Sequence, residues 1–156
     1  MSPKKHTAFI ALGANLGNPL ETCNKALNEI KNHPDITLIS HSTWHKTKPL
    51  VANGESEVGV PDYINGACEI ETSLKPEDLL KTLLNMETKL GRTRGKKWES
   101  RVIDLDLLFY DDLVLNENEI QIPHPELHKR DFVLKPLMEI APDLLHPVFG
   151  KKIREL

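Results

Sequence analysis

A chain of 156 residues, 39% hydrophobic and 28% charged, has the size and make-up of one compact domain, which excludes a collagen-like repeat or a grossly disordered polymer. Lysine and arginine number 20 against 23 acidic residues, a formal charge of -3, so no domain-wide basic field draws duplex nucleic acid and any phosphate-binding charge must be local. The apolar run behind the basic N-terminus stops at Leu12, too short for a membrane span or a signal h-region, so a cytoplasmic location and no membrane partner are expected.

Residues 8–12 read as a buried strand, and Gly13-Ala14-Asn15-Leu16-Gly17 as a tight loop. Asn18 then stands as an N-cap, with Pro19 at the first helical position. Cys23, Ala26, Leu27 and Ile30 recur at helical spacing until Asn32-His33-Pro34, and 36–44 reads as one β segment. Residues 51–61 carry glycines and acids without periodicity, the mark of a surface loop. Over 63–71 the residues alternate, setting Ile64, Cys68 and Ile70 on one face and Tyr63, Asn65 and Ala67 on the other. Pro76 opens a second helix with a stripe of Leu79, Leu80, Leu83, Leu84 and Leu90, closed by Gly91. A strand follows in which Ile103, Leu105, Leu107 and Phe109 point one way, then an Asp111-Asp112 turn, a hairpin to Ile122 and a helical tail over 130–140. The order βαββαβ predicts an α+β fold with a ferredoxin-like core, an antiparallel sheet with packed helices, extended by a C-terminal hairpin and short helices; residues 1–156 form a single domain. Cys23 and Cys68 fall on separate elements without CxxC spacing, which favours buried reduced thiols over a zinc or redox site.

Asp104 and Asp106 alternate with apolar residues, so both carboxylates leave one face of the strand with Cα atoms about 7 Å apart, close enough for divalent cations shared with a polyphosphate. An arbitrary DxD is more often a solvent-facing pair. Here the segment Gly91-Arg92-Thr93-Arg94-Gly95-Lys96-Lys97-Trp98-Glu99-Ser100-Arg101 places five cations just before it, together with an indole face for a base. His124 sits between Pro123 and Pro125, where a structural histidine is the plainer reading. No P-loop is present, since residues 13–18 lack the GK[ST] ending, so the glycines there need do no more than make a turn. Two other readings stay open at this level. A noncatalytic nucleotide- or RNA-binding ferredoxin-like module would use 92–101, although the strands lack repeated exposed aromatics. A metal-dependent hydrolase of nucleotides, with water as the acceptor, is the other.

The segments Phe9-Ile10-Ala11-Leu12-Gly13-Ala14-Asn15-Leu16-Gly17, Pro61-Asp62-Tyr63-Ile64-Asn65, Arg101-Val102-Ile103-Asp104-Leu105-Asp106-Leu107-Leu108 and Pro123-His124-Pro125, in that order, resemble the 6-hydroxymethyl-7,8-dihydropterin pyrophosphokinase family of folate biosynthesis. The resemblance implies an enzyme that moves the β,γ-pyrophosphoryl group of ATP to the pterin hydroxymethyl group and releases AMP. It implies two Mg2+ ions on Asp104 and Asp106, and catalytic phosphate clamps at Arg92 and Arg101. It also implies ATP contacts from Glu87, Arg94, Trp98, Arg101, Leu107, His124 and Arg130, and a pterin pocket of Thr47, Leu50, Tyr63, Asn65 and Phe132. ATP and the pterin are then the only partners expected, without nucleic acid, and a monomer is the default. Where the family carries Arg-Trp-Gly-Pro-Arg, this chain has Lys97-Trp98-Glu99-Ser100-Arg101.

Overall fold

A computed structural model describes residues 4–15, 17–47, 63–91, 103–117 and 120–156. The expected surface loop over 51–61, the cationic segment 92–101 and Leu50 lie outside the described residues. Strands β1 (His6–Ala14), β2 (Ile36–His41), β3 (His45–Thr47), β4 (Tyr63–Thr72) and β5 (Asp104–Tyr110) make one sheet, and β6 (Leu115–Glu117) pairs with β7 (Ile120–Ile122) as a separate hairpin. Helices α1 (Pro19–Asn32) and α2 (Pro76–Lys89) each join strands of the sheet, and α3 (Asp131–Ile140) follows the hairpin. The strand order β2-β4-β1-β5, with every pairing antiparallel and β3 also on β4, is the ferredoxin-like arrangement expected from βαββαβ.

Local chemistry accounts for the helix starts. The Asn18 side chain accepts the Glu21 backbone N–H at 3.2 Å, satisfying one of the orphan donors of α1, and Pro19 follows where a missing N–H costs nothing. α2 also begins on a proline, carries Glu77 and Asp78 in its first turn, and is followed by Gly91 at φ 124.

Two apolar layers fill the two faces of the sheet. Ala8, Ile10, Leu12, Cys68, Ile70, Leu105 and Leu107 pack against Cys23, Ala26 and Ile30 of α1 and Leu79, Leu83 and Met86 of α2. On the other face Phe9, Ala11, Leu108 and Phe109 meet Val133, Leu134 and Leu137 of α3 together with Leu127 and Ile153. The helical tail thus closes the face that α1 and α2 leave open, but only over part of its length.

Several expectations are corrected. Phe109 does not share a face with Leu105 and Leu107. The register on β1 runs Ile10 to Leu107 and then Phe9 to Phe109, so a bulge at Leu108 inverts the alternation and sends Phe109 to the α3 side. The β segment expected over 36–44 stops at His41, and a separate β3 starts only at His45: the Ser42 N–H still donates to the Ala67 carbonyl of β4 at 2.8 Å, but its Oγ accepts the Ala67 N–H at 3.0 Å. The strand at the N-terminus runs on through Gly13 to Ala14, so Gly13 belongs to the sheet and not to a turn. On α2, Leu84 is exposed while Met86 is buried, since the buried arc follows Leu79, Leu83 and Met86. Both cysteines are free and buried, and burial pushes each thiol up to about 12.

Candidate active site

Where α3 leaves the sheet uncovered, β1, β3, β4, β5 and the first turns of α3 enclose a cleft of about 700 Å³. Its floor is set by register. Asp104 pairs with Gly13 and Asp106 with Ala11, while Asn65 pairs with Gly13 from the other side and with His45 of β3. Period-2 geometry therefore turns Ala11, Gly13, Asn65, Asp104 and Asp106 to the same face, and all of them line the cleft. The two aspartates share the face that their spacing predicted.

Gly13 is needed here for its missing side chain. A Cβ at that position would meet the Asn65 Oδ1 at 2.7 Å, so only glycine lets the amide lie across β1. Asn65 is buried, and its Nδ2 donates to the Thr47 Oγ1 at 3.4 Å, which fixes the amide plane at the edge of the cleft. Tyr63 and Phe132 each leave about two fifths of their surface open, 40% and 42%, and both rings line the cleft. Exposed rings beside a buried polar group form an apolar wall of the kind that suits a flat ligand. The Arg130 guanidinium lies 5.7 Å from the Phe132 centroid, and Arg130, Asp131 and Lys135 bring charge to the same wall.

A second recess, about 430 Å³, opens on the far side of Asp106 between Leu107, Gln121, His124 and Pro125. Asp106 lines both compartments. His124 is anchored by its own N–H to the Leu108 carbonyl at 3.0 Å, and its Nδ1 accepts the Glu126 N–H at 3.2 Å, which leaves Nε2 to carry the proton. Burial holds the His124 pKa below its ordinary value, with Asp106 opposing and Arg130 adding to the fall, so the ring is a neutral donor near pH 7.

Of the residues singled out from the sequence, Thr47, Tyr63, Asn65, Asp104, Asp106, Arg130 and Phe132 meet in the cleft, and Leu107 and His124 in the adjoining recess. Glu87 lines neither. It is buried on α2 and its Oε2 accepts the Leu105 N–H at 2.7 Å, because α2 packs beneath β5 on the opposite side of the sheet. That bond ties it to the strand between the two aspartates. Arg92, Arg94, Trp98, Arg101 and Leu50 lie outside the described residues. Sequence reasoning missed Asp131 and Lys135, whose i, i+4 spacing beside Phe132 was the available signal, and the use of Gly13, which carries no local signal at all.

A ferredoxin-like sheet whose open face joins paired carboxylates, guanidinium and ammonium groups and two exposed rings has the make-up of a small-molecule enzyme site. Comparison with known proteins makes this specific. The model of the 7,8-dihydro-6-hydroxymethylpterin-pyrophosphokinase (HPPK) family matches residues 9–142, and the chain belongs to that family of ATP-dependent pyrophosphokinases of folate synthesis. A 2-amino-4-hydroxy-6-hydroxymethyldihydropteridine pyrophosphokinase of Synechocystis sp. is 42% identical over 97% of this chain and 74% of its own length. One from Haemophilus influenzae is 40% identical over 90% of this chain and 85% of its own. The fold also matches a crystal structure of Plasmodium falciparum HPPK-DHPS with pterin and p-hydroxybenzoate, at TM-score 0.75 and 15% identity, over 98% of this chain and 42% of that one. A noncatalytic RNA-binding module is not favoured by these matches. No helix among the described residues is long and apolar enough to cross a membrane.

Proposed function

We propose that this chain transfers the β,γ-pyrophosphoryl group of Mg-ATP to the hydroxymethyl oxygen of 6-hydroxymethyl-7,8-dihydropterin and releases AMP, as a cytoplasmic monomer with residues 1–156 acting as one domain. The observation that carries the reading is the shared face of Asp104 and Asp106, opening into one cleft with Tyr63, Asn65 and Phe132. The donor set fits magnesium. Two hard carboxylates project from one strand face, and triphosphate oxygens and water can complete octahedral shells. Asp104 and Asp106 would hold two ions, which when bound neutralise triphosphate charge and polarise the β-phosphorus.

The chain's own residues then divide the work. Tyr63 and Phe132 stack the pterin between them while Asn65, with Thr47 and the backbone near Leu50, reads its hydrogen-bonding edge. Leu107 and His124 in the recess beyond Asp106, and Arg130 from the wall of the main cleft, receive the nucleotide, with Arg94 and Trp98 as further contacts. Arg92 and Arg101 clamp the phosphates as the pterin oxygen bonds to the β-phosphorus, the bond to the α-phosphate oxygen breaks, and the hydroxyl proton passes to solvent. Glu87 serves ATP binding through the strand it holds. Incubation with magnesium, ATP and the reduced hydroxymethylpterin yields AMP and the pterin diphosphate in equal amounts. ADP as product, or ATP loss without pterin, would overturn the reading in favour of ordinary phosphoryl transfer or hydrolysis.

A further inference from the structure

The short link between β2 and β3 is tied down at every residue. Ser42 bonds β4, as described above. Trp44 donates its Nε1–H to the Asn24 Oδ1 on α1 at 2.9 Å, and its ring lies over Gly66. Thr43 and His45, on either side of Trp44, both turn to one carboxylate near the C-terminal end of α3. Glu139 Oε2 accepts the Thr43 N–H at 2.7 Å, and Oε1 accepts the Thr43 hydroxyl at 2.8 Å and lies 2.9 Å from the His45 Nε2. A carboxylate that takes three donors from two residues only two positions apart fixes both their distance and their orientation.

The position of this clasp gives it a consequence for the cleft. α3 presents Phe132 and Arg130 to the cleft from its first turn, and β3 presents Thr47, two residues beyond His45. His45 is also the residue paired with Asn65. The two walls that face each other across the proposed pterin pocket are thus joined by Glu139, about two helical turns from Phe132 along α3. We propose that Glu139 is a positioning residue for the pterin half of the cleft, holding β3 against α3 so that Thr47 and Asn65 stand at a fixed distance from the Phe132 ring. The hydrogen bonds from His45 and then from Thr43 hold the Glu139 carboxyl below the usual carboxylate range, in keeping with an ionised acceptor in this clasp. Glu139 itself lines neither the cleft nor the recess that holds His124.

This inference rests on the pyrophosphokinase reading, and its test keeps the two separable. Wild-type protein is titrated calorimetrically with 6-hydroxymethylpterin in the presence of magnesium and a non-hydrolysable ATP analogue, and separately with that analogue alone. Absence of pterin binding by the wild type would sink the reading itself. For Glu139→Ala, loss of a charge-assisted clasp weakens pterin binding about ten-fold while the analogue binds within about two-fold of wild type. In turnover assays the pterin KM rises with little change in kcat, and Glu139→Gln, which keeps one acceptor oxygen, recovers part of the affinity. Equal losses for nucleotide and pterin, or unchanged pterin affinity in folded Glu139→Ala, would overturn the proposal. Should Glu139→Ala fail to fold, Thr43→Val removes only the hydroxyl donor and is expected to weaken pterin binding about three-fold, unchanged affinity again counting against the idea.

Discussion

Asp104 and Asp106 leave the same face of β5, and at about 7 Å their charges repel by roughly 2 kcal/mol at an effective dielectric near 20, a term that a divalent cation reverses. Replacing either therefore relieves that repulsion while removing a proposed metal ligand. Asp106→Ala is expected to fold normally, to lose magnesium-dependent nucleotide binding in calorimetry, and to lower kcat by about 10²–10³-fold. Wild-type turnover in that variant would remove the aspartates from the metal site. Pair spacing of this kind is legible in sequence because it depends only on the two-residue repeat of a strand. The partner of Asn65 was not legible: nothing near Gly13 announces that an amide from β4 will lie across it, since the two residues are far apart in the chain and meet only through register.

The elements divide in the same way. α1 and α2 could be read closely because caps, prolines and apolar spacing are local signals, and they begin at Pro19 and Pro76 as those signals require. The break between β2 and β3 and the bulge at Leu108 could not, because each is decided by what the neighbouring strand offers in hydrogen bonds. The link from Ser42 to Thr47 depends on one close approach: a Cβ on Gly66 would come within 2.5 Å of the Trp44 ring and 3.2 Å of the Ser42 Oγ. Gly66→Ala should therefore lower stability by about 2 kcal/mol through overpacking, read as a lower urea midpoint at unchanged slope. A midpoint equal to wild type would mean that Trp44 moves aside without cost.

At the scale of the molecule, three groups tie stability to pH in the same direction. Burial first, and then His128, lowers the His146 pKa from its ordinary 6.5. Its ring is buried, stacks on Phe149 with centroids 4.3 Å apart, and accepts the Val148 and Phe149 N–H groups on Nδ1 at 3.2 Å. His124 is lowered by burial as well. For a histidine kept neutral by the fold, the unfolded chain takes up the proton first, so stability is level above about 6.5 and falls as pH drops below it. Glu139, lowered by its hydrogen bonds, adds a further loss as pH falls through the acidic range. The melting temperature is expected to decline from pH 7.5 to 5.5, and His146→Gln to flatten that decline. A variant with the same slope as wild type would show that His146 does not carry the effect.

By itself the sequence determined the order βαββαβ, the helix boundaries, the common face of Asp104 and Asp106, and that of Tyr63 and Asn65, because periodicity and capping act over a few residues. Only the tertiary structure decided that α3 covers one end of the sheet face and leaves the other as a cleft, that Phe109 turns to the α3 side, and that Glu139 joins β3 to α3. These are contacts between residues far apart in the chain, 96 positions for Thr43 and Glu139, set by strand register and by the packing of side chains that no short window of sequence contains.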